Sequence, residues 1–416
     1  MYGLLGKTLK HSLSQVIHER LNPSITYNLY ETDDLKAFFR ARPFVAINVT
    51  NPYKEACIPY LDRLDDSAKK IGAVNTVVDK DGDLVGYNTD YDALRSIISS
   101  RFPDNFESLI GIVGNGATHK TLLTALEDEG YKNILVFARN TERDQKNLQD
   151  IETFKTIDVL VNATPVGMYP NNQQTLDFSL NAFDDLKLVF DLIYNPLKTN
   201  LLLEADDMNI EYINGLSMLV KQAMKAQEIF FDRPLTTDYK TFLNTLEKTL
   251  YNIVFLGLPF SGKSHYGRLF SSIMDKPFID IDQSIERHER LKIDTIFKSK
   301  GEAYFRQLEE DKVLEIAKGH SQIISPGGGI ILSQKAMQAL SQNSLIILLD
   351  LDLSILDKNV LKNRPLVQSM DDLHALKLKR QPLYEKYATL TIKKDTWDEE
   401  IIKKRIEEAI HEYLDH

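Results

Sequence analysis

Cysteine is almost absent from this chain. One residue, Cys57, stands in 416 positions, so no disulfide can close within the chain and no cysteine-based zinc site can form. A reducing compartment and a core position for that thiol are expected. Long apolar runs are missing as well. None reaches the length of a membrane helix, and Met1-Tyr-Gly-Leu-Leu-Gly-Lys7 is too short and too soon interrupted for a secretion signal; a cytoplasmic protein with no membrane partner is expected. Positive charge is in deficit, with 50 Lys and Arg against 60 Asp and Glu. The first 250 residues carry 26 basic and 35 acidic side chains and the remainder 24 and 25. Neither part can coat the phosphates of a duplex, which argues against a nucleic-acid partner. Low-complexity segments and internal repeats are also lacking. A hydrophobic share of 43% with 26% charged residues is that of an ordinary globular chain, and this length is too great for one core.

Two glycine-rich loops stand out against that background. Gly114-Asn-Gly116-Ala117-Thr118 follows the apolar run Leu109–Val113 and opens a helical pattern that Gly130 closes. This is the setting of a dinucleotide-binding turn, although His119 occupies the place of the usual third glycine. About 25 residues on, Arg139 and Arg143 stand where an NAD enzyme carries an acid for the ribose hydroxyls; two cations there suit a 2′-phosphate and predict NADP. The second loop, Gly257-Leu-Pro-Phe-Ser261-Gly262-Lys263-Ser264, follows the strand-like Asn252–Leu256 and fits the nucleoside-triphosphate pattern G-x-x-x-x-G-K-S in full. Its amides would cradle phosphate, Lys263 would reach the outer phosphates and Ser264 would offer a hydroxyl to magnesium.

Strand-like runs at 44–48, 109–113, 134–137, 159–162 and 188–191 alternate with helical patterns, which predicts a parallel, doubly wound α/β arrangement. Residues 216–250 read as helical except near Pro234, and a boundary is expected near 248. Beyond it, strands are expected at 252–257, 278–281, 321–325 and 344–350, with helices over 285–297 and 302–317. Residues 398–414 read as an amphipathic helix laid over the core with a solvated outer face.

Several motifs of the first part occur in one order: Ser12-Leu-Ser14, Asn48-Val-Thr50-Asn-Pro-Tyr-Lys54, Gly72-Ala-Val-Asn75-Thr76, Asn88-Thr-Asp90, Asn162-Ala-Thr-Pro-Val-Gly-Met168 and Gly215-Leu-Ser-Met-Leu-Val-Lys-Gln222. Together they resemble shikimate dehydrogenase over residues 1 to about 248. The resemblance implies a substrate-binding domain over 1–95 completed by 215–248, and an NADP-binding Rossmann domain over 96–214. It implies Lys54 and Asp90 as the catalytic pair, with Ser12, Ser14, Thr50, Asn75, Asp90, Tyr194 and Gln222 gripping shikimate. Gly114, Asn115, Gly116, Ala117, Thr118, Arg139, Arg143, Leu192 and Gly215 would hold the cofactor. The chemistry is consistent: reducing a ketone by hydride places charge on its oxygen, and an ammonium beside it meets that charge.

The second part resembles shikimate kinase over 251 to about 395, through Phe278-Ile-Asp280-Ile-Asp282, Gly301-Glu-Ala-Tyr-Phe-Arg306-Gln-Leu-Glu309, Gly327-Gly328-Gly329, Arg364-Pro-Leu366 and Arg380-Gln-Pro-Leu-Tyr384. This implies a P-loop kinase domain with a parallel sheet over 249–416. Asp280 would join Ser264 at magnesium and Asp282 would accept the hydroxyl proton. Arg306 and Arg380 would hold the carboxylate, with Gly328 and Gly329 facing the substrate. Arg364 would meet charge on the transferring phosphoryl group, and Gly257, Ser261, Gly262, Lys263 and Ser264 would bind ATP. The combined reading is a bifunctional enzyme that reduces 3-dehydroshikimate with NADPH and phosphorylates shikimate with ATP and Mg2+. The same folds serving quinate or another small polyol, or one half acting as a ligand sensor, are the other readings; Lys54, Asp90, Lys263 and Asp282 all being present speaks against a sensor.

Overall fold

A computed structural model describes residues 1–9, 12–142, 144–356 and 369–415. The chain forms two compact units, one of Met1–Val166, Thr175–Leu197 and Glu204–Leu243, the other of Gly167–Gln174, Lys198–Leu203 and Asn244–His416.

The first unit holds two sheets. Its first is built from β1 (Tyr2–Gly6), β2 (Tyr27–Glu31), β3 (Ala46–Val49), β4 (Arg63–Leu64), β5 (Thr76–Lys80) and β6 (Asp83–Tyr87), in the order β2-β1-β3-β5-β6-β4. β1 runs parallel to β2 and β3, whereas β5 is antiparallel to both β3 and β6. The parallel pattern read from the sequence therefore holds for only part of this sheet, which β5 makes mixed. A two-residue turn explains the reversal: Asp81 and Gly82 both have positive φ, 57° and 98°, the geometry of the hairpin turns whose twist matches the strands. Antiparallel β5 starts at the edge where parallel β3 ends, so Val49 N donates to Asn75 O at 2.8 Å. Residues following β1, β3 and β6 and preceding β5 thus collect along one edge.

The second sheet comprises β7 (Ile110–Val113), β8 (Ile134–Ala138), β9 (Lys146–Asn147), β10 (Val159–Asn162), β11 (Leu188–Asp191) and β12 (Glu211–Ile213). Its order, β12-β11-β10-β7-β8-β9, is parallel throughout. Strand order reverses between β7 and β10, the switch point at which a doubly wound sheet opens a crevice for a nucleotide. β7, β10 and β11 are buried along their whole length, which is why they read as unbroken apolar runs.

The second unit carries β13 (Asn252–Leu256), β14 (Phe278–Asp280), β15 (Ile323–Ser325), β16 (Ser344–Leu351) and β17 (Leu390–Lys394), all parallel in the order β14-β15-β13-β16-β17. Where one helix was expected over 285–297 there are two, Ile281–Glu289 and Ile293–Lys300. Arg290 caps the first in the left-handed region with φ 56°, a place usually held by glycine or asparagine, so no stop signal is legible there. The expected interruption near Pro234 separates helices Gly215–Phe231 and Tyr239–Leu250. The final helix, Glu399–Asp415, buries Ile402, Ile406 and Ile410 against Phe255, Phe270 and Ile347. No helix among the described residues is long and apolar enough to cross a membrane.

Candidate active sites

Lys54 lies on the short helix Tyr53–Ala56 after β3, and Asp90 in the first turn of helix Thr89–Arg101 after β6. Their side chains meet at 2.6 Å, Nζ to Oδ2, both largely but not wholly buried. The carboxylate is placed by a cap and a bracket. Asn88 caps the helix by accepting from Tyr91 N, and Asn75 Oδ1 accepts from Thr89 N at 2.7 Å while Asn75 Nδ2 donates to Thr89 Oγ1 at 3.0 Å. Behind them, Asn48 Nδ2 donates to Thr76 Oγ1 at 3.0 Å and Asn48 Oδ1 accepts from Tyr27 OH at 2.7 Å. Tyr27 stacks on His18, ring centroids 4.2 Å apart. Burial lowers the His18 imidazole to about 3 and it stays neutral. Asn48, Thr89, Tyr27 and His18 carry no role in the sequence reading. A buried polar chain of this kind leaves no periodic signal.

Thr50 follows β3 on the same edge, its N–H bonded to Leu5 O at 2.9 Å. Ser12 accepts from Ser14 N at 3.2 Å, and Ser14 is buried at the start of helix Ser14–Leu21. Gln222 is buried on helix Gly215–Phe231 and its amide donates to Leu219 O at 2.8 Å. Tyr194 is half-buried after β11, its phenol pushed up by burial. Among the described residues, neither Gln222 nor Tyr194 is hydrogen-bonded to the Lys54–Asp90 pair.

The glycine-rich turn after β7 leads into helix Ala117–Asp128, with Gly116 at its N-cap and Thr118 in the first turn. Gly114 has φ 107° and its N–H bonds Phe137 O at 2.8 Å; Asn115 Nδ2 donates to Asn140 O at 3.0 Å. These bonds bring the turn beside Arg139, an exposed residue 3.4 Å from Asp177. Arg143 lies outside the described residues, as does Arg364. Lys120, in the same helix, reaches Glu55, the neighbour of Lys54, at 3.6 Å, which sets the helix beside the Lys54 segment. Gly215 packs on the backbone of Leu192, where a Cβ would lie 2.5 Å from the carbonyl carbon; only glycine admits that approach. Cys57 is fully buried, its thiol pushed up to about 12.

In the second unit Lys263 opens helix Lys263–Met274, and its ammonium donates to Gly257 O and Leu258 O at 3.0 Å each. Gly257 and Gly262 hold positive φ, and Ser261 is buried between them. Ser264 Oγ donates to Asp280 Oδ2 at 2.8 Å. A hydroxyl and a carboxylate so placed are hard oxygen donors suited to Mg2+. Asp280 ends β14 and caps helix Ile281–Glu289, with Asp282 in its first turn. Arg380, buried on helix Met370–Tyr387, donates to Gly328 O at 2.7 Å. Arg306 pairs with Glu309 and, at 3.0 Å, with Glu302. A Cβ on Gly327 would fall within contact of Glu309 Oε1 and 2.6 Å from Asp282 Oδ1, and one on Gly329 would collide with Arg306. Gly327 and Gly329 therefore let the loop lie directly on Asp282, Glu309 and Arg306. Glu309 has no assigned role in the sequence reading, although its place three residues after Arg306 on one helix was a usable signal.

Known proteins resemble the chain in both parts. The family described as shikimate dehydrogenase substrate binding domain matches residues 4–77, and that described as shikimate kinase matches 259–410. A shikimate dehydrogenase (NADP(+)) of Clostridium beijerinckii is 34% identical over 269 residues, covering 61% of this chain and 97% of that protein. The crystal structure of shikimate dehydrogenase 1 from Peptoclostridium difficile aligns with TM-score 0.53 at 34% identity, over 59% of this chain and 97% of its own. That of the Thermus thermophilus shikimate 5-dehydrogenase, in complex with NADP(H) and shikimate, gives 0.51 at 27% identity, over 58% and 96%. Over its first three-fifths the chain belongs to the shikimate dehydrogenase family, and its remainder carries a shikimate kinase domain.

Proposed function

We propose that the chain catalyses two consecutive reactions, NADPH-dependent reduction of 3-dehydroshikimate to shikimate and ATP-dependent phosphorylation of shikimate to shikimate 3-phosphate. The observation that carries the proposal is that matches over two separate stretches, 4–77 and 259–410, both name shikimate. Residues 1–95 with 215–248 serve as the substrate domain of the reductase, 96–214 as its NADP domain and 249–416 as the kinase. When bound, NADPH supplies the hydride, ATP the phosphoryl group and Mg2+ the neutralising charge.

In the reductase, the Lys54 ammonium donates a proton to the carbonyl oxygen as it gains charge, while Asp90, 2.6 Å away, orients it. Ser12, Ser14, Thr50, Asn75, Tyr194 and Gln222 bind hydroxyls and carboxylate; a site that pairs each hydroxyl rejects analogues lacking one. Leu192 and Gly215 line the cofactor side, the amides of Gly114–Thr118 face its pyrophosphate, and Arg139 takes the 2′-phosphate.

In the kinase, Asp282 accepts the proton of the attacking hydroxyl, and Arg306 and Arg380 hold the carboxylate against Gly328 and Gly329. Lys263 leaves the loop carbonyls for the outer phosphates. Ser264 and Asp280 would hold the magnesium, and Arg364 would meet the developing charge. The test supplies 3-dehydroshikimate, NADPH, ATP and Mg2+ and identifies products by mass spectrometry. Shikimate 3-phosphate is the expected product; consumption of NADPH without it would remove the kinase half of the proposal, and no oxidation of NADPH the reductase half.

A further inference from the structure

Lys394 ends β17, where the strand alternates strictly: Thr391 and Lys393 are exposed, whereas Ile392 and Lys394 are buried. Ile392 packs in the apolar cluster with Phe255, Tyr266 and Phe270. Lys394 takes the next inward position, one that the alternation reserves for an apolar side chain. An ammonium stands there instead, on a residue only 3% exposed.

β17 runs parallel to β16, and β16 to β13, so Lys394 and the phosphate loop leave the sheet at the same end. The Lys394 Nζ donates to Ser261 O at 3.0 Å and would stand 3.0 Å from a Cβ on Gly262. In a trans peptide the carbonyl and the following N–H point in opposite directions, so this bond sets the plane of the Ser261–Gly262 amide, part of the anion cradle. The same nitrogen lies 4.4 Å from the centre of the Trp397 ring and 5.3 Å from that of Tyr266. Aromatic faces attract a cation but do not neutralise it.

A buried charge is costly unless an opposite charge pairs with it. The acids that follow Lys394 are engaged elsewhere: Asp395 with Arg405 at 2.8 Å, Asp398 with the N–H groups of Glu400 and Ile401, and Glu399 with His265 at 2.6 Å. By contrast Lys377, which donates to Leu351 O, has Asp350 at 2.8 Å. Burial pulls the Lys394 ammonium below its ordinary 10.5, and no carboxylate among the described residues opposes that pull. A cation kept at this cost beneath a loop suited to phosphate is explained by an anion that arrives with the ligand.

We propose that Lys394 is a positioning residue of the phosphate loop: its buried ammonium fixes the Ser261–Gly262 peptide plane and supplies a permanent positive charge whose counter-ion is the phosphate chain of the donor nucleotide. This rests on the kinase reading above. The lysine lowers the stability of the second unit and raises its affinity for polyphosphate, so removing it moves the two properties in opposite directions. A lysine that merely held the fold together would move them in the same direction.

The test uses the full chain with Lys394→Met, which keeps the apolar stem and removes charge and donor, and Lys394→Gln, which removes the charge and keeps a donor for Ser261 O. Calorimetry with inorganic tripolyphosphate and Mg2+ should show binding weakened about tenfold in both variants, the scale of one charge-assisted contact. KM for ATP should rise by a similar factor while KM for shikimate stays within about twofold. Trp397, the only tryptophan of the chain, reports unfolding of the second unit, and the urea midpoint read from its emission should be unchanged or higher in Lys394→Met. No tripolyphosphate binding by the wild type, wild-type affinity in either variant, or weaker binding accompanied by a lower urea midpoint would overturn the proposal. If the wild type binds tripolyphosphate but transfers no phosphate from ATP to shikimate, the kinase reading fails, and the comparison of the variants still decides the role of Lys394.

Discussion

Lys54 Nζ and Asp90 Oδ2 lie 2.6 Å apart, although 36 residues separate them in sequence. Two helices that start at one sheet edge create this contact, and the bonds from Asn75 to Thr89 hold the second helix in place. An ammonium so tethered keeps its proton aimed at one point, the condition for acid catalysis on a carbonyl. Lys54→Ala should therefore lower reductase turnover at least about a hundredfold, leaving phosphorylation of added shikimate at the wild-type rate. Steady-state assays of each reaction on the same preparation check this. A mutant that still reduces 3-dehydroshikimate near normally would remove Lys54 from its proposed role.

Arg139 is exposed and shares its guanidinium with Asp177 at 3.4 Å. An exposed pair of that kind is weak, and a cofactor phosphate can take the arginine from it. NADPH should be preferred over NADH about tenfold or more, the scale of one charge-assisted contact. Arg139→Ala should erase most of that preference, and Asp177→Ala should leave it intact or enlarge it. Comparison of kcat/KM for both cofactors in the three proteins decides the matter; equal efficiency with both in the wild type would sink the reading.

The parallel cores were legible because β7, β10, β11 and β13 are buried end to end and so appear as unbroken apolar runs. The two phosphate loops were legible because glycine at fixed spacing is a local requirement. The hairpin of β5 and β6 carried a signal too, Asp81-Gly82 between apolar runs, but the helix–strand alternation around it favours a wholly parallel reading. Three contributions have no local signature: the break at Arg290, where the backbone of a long-chain residue takes a left-handed conformation; the chain from His18 through Tyr27 to Asn48; and Lys394 beneath the phosphate loop. The last two are set by contacts between distant segments.

Ser264 Oγ and Asp280 Oδ2, 2.8 Å apart, would offer a hydroxyl and one carboxylate to magnesium at the proposed site. Asp280→Asn keeps the helix cap to Gln283 N but removes the charge. The Mg2+ concentration for half-maximal kinase activity should rise about tenfold, since one charged contact is worth about 1.5–3 kcal/mol. Reductase activity should not change. A magnesium titration of the mutant that overlays the wild type would exclude Asp280 from the metal site.

Glu309 is 1% exposed, with Oε1 lacking any hydrogen-bond partner among the described residues. Burial pushes its carboxyl up to about 7 from the ordinary 4.5, against the pull of Arg306. In the unfolded chain the group ionises near 4.5, so between that pH and about 7 the folded state holds the extra proton. Below 4.5 both states are protonated and the contribution to stability is fully present; it is lost as pH rises through 7, where a carboxylate must be kept buried. Glu309→Gln does not titrate. Raising pH from 4.5 to 8 should therefore shift the stability difference towards the glutamine variant, by up to about 3 kcal/mol, read from denaturant melts of both proteins at the two pH values. Comparing differences cancels the fixed cost of leaving Arg306 with Glu302 alone. If the difference is the same at both pH values, Arg306 rather than burial governs Glu309, and the carboxylate under Gly327 is ionised across the working range.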